Sequence, residues 1–203
     1  MQFRLTYEGP LPATQNSGQD GDKPSRAKLK HSIRKVFHRQ LGRLWEQRQF
    51  LSRLYEPHHG KHGSYVDDLV RAHAAYDFDW APLATEADEI DCRLDVLLLR
   101  PGMPGGVINA GDIDNRLKTL FDALRKPKNR NEVGDAKPED GESPFYVLLE
   151  DDSLISRVVV ETDTLLEPVS GNADDVRLIV GVDVRCIGRS NYLRFLERAA
   201  RLP

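Results

Sequence analysis

Hydrophobic and polar residues follow a two-residue period in some parts of the chain and a helical period in others. Residues 3–7 alternate apolar with polar side chains, which predicts a short first strand with one buried face. From 25 to about 55, apolar residues recur every three or four positions, as in a long amphipathic helix. A second helix is predicted from 65 to about 76. The chain therefore opens with a strand followed by two helices.

The second half shows the same two periods. Residues 92–98 form a predicted second strand that becomes apolar on both faces, which places it in the middle of a sheet. A helix follows over 112–124, with apolar residues at i, i+3, i+4 and i+7. Two more strands are predicted, over 153–162 and 176–186, and we expect them to pair antiparallel. A last helix is predicted to begin near Ser190.

These elements predict a single α+β domain, a mixed sheet of about four strands with helices packed on it. A chain of 203 residues has the length of one domain. Residues 8–24 are rich in Gly and Pro and predict a mobile loop. Residues 125–144 are polar without an apolar period and predict a flexible insertion, while 78–91 are acidic and predicted to be irregular.

Composition excludes several classes of protein. Cys92 and Cys186 both lie in apolar runs, without a Cys or His at ligand spacing, so we expect buried thiols in a reducing compartment and neither a disulfide scaffold nor a zinc site. Neither a signal-peptide core nor a membrane-spanning run of apolar residues occurs. We therefore expect a cytoplasmic protein with no membrane partner.

Positive charge is concentrated in one segment although the formal net charge is −3. Residues 23–53 contain ten Lys or Arg and one acid, Glu46. Two interpretations remain: the solvated face of an amphipathic helix, or a surface that binds phosphates. Under the second, with a contribution from the basic start of the 125–144 insertion, the predicted DNA-binding residues are Lys28, Lys35, Arg39, Arg43, Lys126 and Lys128.

The candidate chemistry begins at the start of the predicted 112–124 helix. Asp112 and Asp114 can cap its free backbone N–H groups and interact with the positive end of the helix dipole. Lys118 follows Asp114 by four residues and therefore lies on the same side, one turn along. Asp151 and Asp152 come at the start of the third strand, where a plain polar turn is the alternative interpretation.

If these two acidic blocks meet, their carboxylates repel one another by roughly 4 kcal/mol per pair at about 4 Å and an effective dielectric near 20. A positive group must then lie among them. Several oxygen ligands around one gap suit a hard divalent cation, Mg²⁺ or Mn²⁺. Such an ion supports phosphodiester hydrolysis, because it activates water and neutralises charge on the phosphate.

Both blocks resemble the RusA family of Holliday-junction resolvases, which are Mg²⁺-dependent endonucleases that cut four-way DNA junctions as homodimers. The matching residues are Asp112, Asp114, Asn115, Lys118, Asp122-Ala123-Leu124 and Asp151-Asp152. The resemblance implies that Asp112, Asp114 and Asp152 are the catalytic metal ligands and that Lys118 is the catalytic lysine. We expect Asp151 to be an auxiliary ligand, Asn115 to orient a carboxylate, and the fold to be RusA-like.

Two other functions remain open. One is a branched-DNA-binding protein with the same fold and no catalysis, and the other is a metal-dependent nuclease for a different nucleic-acid structure. Three features depart from the family pattern: the length of the 125–144 insertion, the acidic net charge, and a histidine-bearing segment at His58, His59 and His62.

Overall fold

The computed structural model describes residues 1–12, 23–57, 63–101, 112–167, 169–170 and 174–188, without the side chains of 23–25 and 112. The helices in these ranges are Lys23–Gln47 (α1), Gln49–Ser52 (α2), Tyr65–His73 (α3) and Asp112–Leu124 (α4). The strands are Gln2–Pro10 (β1), Trp80–Ala84 (β2), Ile90–Arg100 (β3), Phe145–Leu149 (β4), Ile155–Thr164 (β5) and Asp175–Cys186 (β6). Short 3-10 helices cover Arg53–Tyr55, Arg130–Glu132 and Asp152–Leu154.

Four of the strands form a mixed sheet in the order β1-β6-β3-β5. Strand β6 pairs antiparallel with both β1 and β3, whereas β3 and β5 run parallel. The prediction that β3 is central is confirmed. The predicted antiparallel pairing of β5 with β6 is wrong, because β3 lies between them. The connection over 165–174 is too long for a tight hairpin, so it can carry the chain across β3.

One face of this sheet carries the main hydrophobic core. Alternate residues of β3 and β6 are buried, as the two-residue period predicts, and the apolar stripe of helix α1 belongs to the same hydrophobic cluster. Removing this apolar surface from water is the main favourable term in folding. The residues of α1 that contribute most are Ile33, Phe37, Leu41 and Trp45, each at most 2% exposed.

A second, smaller sheet pairs β2 with β4 in parallel. Every residue of β2 is buried, so the prediction that 78–91 is irregular is wrong. A strand that is buried on both faces has no polar alternation, and Pro82 weakens its strand signal further. A separate hydrophobic cluster forms around these two strands, from Phe78, Trp80, Val133, Phe145 and Val147.

Residues 125–144, predicted as a flexible insertion, make defined contacts with the rest of the molecule. Val133 is 1% exposed within the second cluster, and Glu142 is buried beside α1, where it pairs with Lys35. The 3-10 helix Arg130–Glu132 also contacts α1. The segment is therefore part of the packed structure, and Val133 is its most buried apolar residue, with Ala136 packed against the same cluster.

Several other predicted boundaries can be compared with the structure. The predicted long helix ends as α1 at Gln47, and two short helices follow it. The predicted loop over 8–24 begins too early, because β1 continues to Pro10; residues 13–22 lie outside the described residues. So do most of the histidine-bearing segment, at 58–62, and the predicted last helix from 189 onward.

The described chain is a single α+β domain with a four-stranded mixed sheet and four helices, as the sequence predicts. Within the described ranges, no helix is long and apolar enough to cross a membrane. Both cysteines are free; Cys92 is fully buried and Cys186 is partly exposed. Burial raises the pKa of the Cys92 thiol to about 12, so this thiol remains protonated at neutral pH.

Candidate functional site

The amino end of α4 carries exposed charged residues. The helix buries Leu120, Ala123 and Leu124, so the 3.6-residue period turns Asp114 and Lys118 toward solvent. Neither of these two side chains forms a hydrogen bond or ion pair with another described residue. They are therefore available to bind a ligand. The side chain of Asp112 lies outside the described part of the structure.

The carboxyl end of α4 is, by contrast, closed by ion pairs. Asp122 accepts hydrogen bonds from Lys30 at 2.6 Å and from Arg125 at 2.5 Å. Arg125 is 4% exposed and also donates two hydrogen bonds to the carboxylate of Glu132, at 2.9 and 3.1 Å. Burial opposes ionisation of Asp122, but the two cations outweigh it and lower its pKa. Both acids are thus fully paired.

Arg34, on α1, completes this end of the helix. Its side chain is fully buried and donates hydrogen bonds to the backbone carbonyls of Asp122 at 2.7 Å and Arg125 at 3.2 Å. These carbonyls lie at the carboxyl end of a helix, where backbone acceptors lack intrahelical partners and positive charge is favoured. Arg34 therefore caps α4, and this basic residue of α1 has a structural role.

Asp151 and Asp152 lie just before β5 and converge on one cation. The Nζ of Lys128 lies 2.8 Å from Oδ2 of Asp151 and 2.7 Å from Oδ1 of Asp152. The Nε of Arg125 lies 3.9 Å from the same Asp152 oxygen. Burial raises the pKa of Asp151, but hydrogen bonds from Lys128 and Ser153 dominate and lower it overall. Hydrogen bonds to the two aspartates raise the pKa of Lys128.

The two predicted acidic blocks therefore lie at different ends of α4. Asp152 pairs with residues that follow the carboxyl end, and from Asp114 to Arg125 the helix rises by about 16 Å. Among the described side chains, which exclude that of Asp112, no three His, Cys, Asp or Glu are close enough together to hold a metal ion. The structure brings Asp151 and Asp152 together, and their joint site with Asp112 and Asp114 stays a prediction.

A histidine and a lysine lie beside the aspartate pair. Nζ of Lys126 is 3.2 Å from Nδ1 of His73, and a carboxylate oxygen of Glu150 is 3.9 Å from the same nitrogen. Burial, reinforced by Lys126, lowers the pKa of His73, so the imidazole is neutral at pH 7. His73 was not predicted as a site residue, because in the sequence it is one polar residue in an amphipathic helix.

The six predicted DNA-binding residues fall into two groups. Lys35 pairs with Glu139 and Glu142 at 2.8 and 3.0 Å, while Lys126 and Lys128 contact His73 and the aspartate pair. These three side chains are already engaged within the molecule. The other three are exposed and form no ion pair with a described residue: Lys28, Arg39 and Arg43.

The aspartate pair is the described cluster that best fits a divalent cation. No family model, no curated protein and no solved structure matches this chain. The donor chemistry is nevertheless favourable, because carboxylate oxygens from Asp151 and Asp152 already surround one positive group, and their side chains are 36% and 39% exposed. Mg²⁺ commonly binds through one or two carboxylates and keeps water or substrate phosphate in its other positions.

Proposed function

We propose that this protein is a divalent-metal-dependent endodeoxyribonuclease that resolves four-way DNA junctions. The observation that carries the proposal is the convergence of Asp151 and Asp152 on a single cation position at the start of β5. Asp114 and Lys118, which are exposed and have no ion pair with a described residue, support it, as does the resemblance of both blocks to the RusA family.

In this proposal, Asp151 and Asp152 hold Mg²⁺ or Mn²⁺ at the start of β5, and water or phosphate oxygens occupy its other positions. The resemblance implies Asp112 and Asp114 as further ligands. Asp114 lies about 16 Å along α4 from Arg125, which neighbours Asp152, so a shared ion requires the amino end of α4 to approach Asp152. The bound ion supplies an activated water and neutralises charge on the phosphate. Lys118 has an exposed ammonium group that contacts a phosphate oxygen and stabilises the negative charge that develops there. Lys128 offsets part of the charge of the aspartate pair and has to give way to the ion.

Metal binding can be tested through that competition. Replacing Lys128 by Met leaves two carboxylates without their ammonium, so we expect Mn²⁺ to bind roughly tenfold more tightly in calorimetry. The matched control is Arg130→Met, which breaks another exposed ion pair, with Asp77, in the same segment. Asp152→Asn should weaken binding. Equal Mn²⁺ affinity in the parent, Lys128→Met and Asp152→Asn proteins would contradict a metal site at this pair.

Catalysis can be tested on a synthetic four-way junction with and without Mg²⁺. Asp152→Asn should lower the cleavage rate at least about a hundredfold, because it removes a charged ligand, and Asp114→Asn should do the same if the ligand set that the resemblance implies assembles. DNA binding, measured by fluorescence anisotropy in EDTA, should change little. Asp68→Asn, an exposed aspartate of α3 that pairs with Arg71, is the control. Parental cleavage rates in both variants would rule out the proposed ligand set.

The proposed reaction also requires two active sites. Resolution of a four-way junction needs two symmetric cuts, which a homodimer supplies through its twofold axis. Sedimentation of the protein on a junction should therefore show two copies per DNA. If a single copy binds and cuts, the enzyme is a simpler nuclease, and a panel of labelled flaps, duplexes and RNA would identify its substrate.

One observation favours a second function, that of a branched-DNA-binding protein without catalysis. The ammonium of Lys128, together with the guanidinium of Arg125 at 3.9 Å from Asp152, already offsets the charge of Asp151 and Asp152, so the pair does not require a metal ion. Under this alternative, a junction is bound equally well in EDTA and in Mg²⁺, and no product forms at any metal concentration. The cleavage assay described above separates the two functions.

A further inference from the structure

A shallow groove runs between β1 and α1, away from the aspartate pair. Its volume is about 530 Å³. Three arginines line it, Arg4 from β1 and Arg43 and Arg48 from the end of α1 and the residue that follows. Phe3 and Leu44 contribute apolar surface beneath them, and they also pack against the core. The groove is thus basic at its rim and apolar at its floor.

The arginines of this groove are free to bind a ligand. All three side chains are exposed, and none forms a hydrogen bond or ion pair with another described residue. Of the described residues that line the groove, none is acidic. Glu46, the acid within α1, is not among the residues that line the groove. Arg4 also borders a neighbouring pocket that contains Asp95 and Asp183, so the positive charge without a described carboxylate beside it is mainly that of Arg43 and Arg48.

The other basic face of α1 differs in this respect. Lys30 pairs with Asp122, Arg34 caps α4, and Lys35 pairs with Glu139 and Glu142. These cations stabilise the fold and have little charge left for an external partner. The basic residues of α1 therefore fall into two groups. Lys30, Arg34 and Lys35 face α4 and the 125–144 segment and stabilise the fold, whereas Arg43 faces β1 and forms no ion pair with a described residue.

We infer that the groove between β1 and α1, through Arg4, Arg43 and Arg48, binds the phosphate backbone of a nucleic acid. This inference rests on the proposed function and names the surface that holds its substrate, but the binding itself requires no metal ion.

The composition of the groove favours phosphate as the ligand. A guanidinium presents a planar fork of N–H donors that matches phosphate oxygens, and all three cations here are arginines. The side-chain amide of Gln47 adds a neutral donor at the same surface. A membrane surface is a poorer fit, because peripheral binding requires apolar side chains that project from a convex face, whereas Phe3 and Leu44 lie recessed.

The test measures binding of a labelled four-way junction by fluorescence anisotropy in EDTA over a range of salt concentrations. The triple variant R4A/R43A/R48A should bind at least about tenfold more weakly at 0.1 M salt. Its log-log salt slope should fall in magnitude by about 3, since each phosphate contact on duplex DNA contributes about 0.9. Thermal melting of the variant should match the parent, because the three side chains are exposed.

A matched control removes the same charge elsewhere. The variant R71A/R157A/R177A deletes three exposed arginines that are paired with acids on the protein surface. We expect its salt slope to change by less than one unit. A charge-preserving variant, R4K/R43K/R48K, should recover most of the slope and only part of the affinity, because lysine lacks the bidentate geometry.

Several outcomes would overturn the inference: no binding of the parent protein to the junction, an unchanged slope in the groove variant, or an equal loss in the two alanine triples. Binding of polyglutamate or anionic vesicles as tightly as DNA would also overturn it, because the groove would then not be specific for nucleic acid. If the groove dependence is found but no cleavage occurs, the inference stands and the proposed nuclease fails. If cleavage occurs and the salt slope of the groove variant is unchanged, the inference fails and the proposed nuclease stands.

Discussion

The two ends of helix α4 differ in how their charges are used. At the amino end, Asp114 and Lys118 are exposed and have no partner among the described residues. At the carboxyl end, Asp122 and Arg125 take part in a nearly buried network of ion pairs that includes Arg34 and Lys30. Similar residue types are therefore paired within the fold at one end and remain exposed, without a described partner, at the other.

This difference separates charged residues that hold the fold from those that can act on a ligand. A buried charge is tolerated only when hydrogen bonds and opposite charges compensate for lost hydration, so its removal destabilises the protein. An exposed and unpaired charge contributes little to stability, so its removal should affect function alone. The predictions below test this distinction, beginning with the largest effect.

The largest effect is expected for Arg34→Ala. The substitution leaves the backbone carbonyls of Asp122 and Arg125 without their buried donor, and we expect the free energy of unfolding to fall by about 3–5 kcal/mol. Urea denaturation of the parent and the variant would measure this difference in the free energy of unfolding. Arg39→Ala, an exposed position on the same helix, should change stability by no more than about 0.5 kcal/mol. A similar small loss for both would contradict a structural role for Arg34.

The second prediction concerns pH and His31, whose Nδ1 lies 3.4 Å from the Arg34 guanidinium. Burial, followed by the nearby charge of Arg34, lowers the pKa of His31 from 6.5 to about 4. The unfolded chain therefore takes up a proton first as the pH falls. The neutral histidine gives full stability above about pH 6.5, and about 3 kcal/mol is lost as the pH falls toward 4.

His31→Phe removes this titration and should make the free energy of unfolding less dependent on pH between 7 and 4. Urea melts of the parent and the variant at several pH values measure the difference, and the carboxylates common to both proteins cancel in the comparison. If the free energy of unfolding changes equally with pH in both proteins, His31 is not kept neutral by burial.

An intermediate effect is expected for Val133→Ala in the segment that follows α4. Val133 is 1% exposed in the cluster with Phe78, Trp80 and Phe145, so the loss of its two methyl groups should cost about 2 kcal/mol. Asn131→Ala, at an exposed position of the same segment, serves as the control and should be close to neutral. No loss for Val133→Ala would mean that this segment contributes little to folding.

The smallest effect on stability is expected for Asp114→Asn. The carboxylate is exposed, and its interaction with the helix dipole contributes at most about 1 kcal/mol. Thermal melting should show nearly the parental midpoint, in contrast to the large loss of cleavage expected for the same variant. A loss of stability as large as that of Arg34→Ala would show that the two ends of α4 do not differ in the way described.

Long periodic patterns allowed much of the fold to be predicted from sequence. Helix α4 was predictable because its apolar residues repeat with the helical period, and β3 because its apolar character on both faces marks an interior strand. Strand β2 was missed since its complete burial removes the polar alternation. Residues 125–144 were predicted to be flexible because their most buried apolar residue, Val133, is hidden among polar neighbours.

The candidate site was less predictable because its geometry depends on long-range contacts. The residue types at Asp114, Asp151 and Asp152 were apparent, but their relative positions depend on which end of α4 meets the start of β5. The role of Arg34 depends on Asp122, eighty-eight positions later in the sequence. A basic residue in an amphipathic helix looks the same in the sequence whether it is exposed or caps another helix.

The pairing of β1 with β6 has a consequence for the order in which the chain is assembled. Phe3 lies opposite Val182, so β1 finds its neighbour only after the residues between the two strands have been synthesised. At about 5–20 residues per second, that interval lasts on the order of ten seconds or more. During translation, the apolar side of β1 has to remain in solution or be shielded by a chaperone.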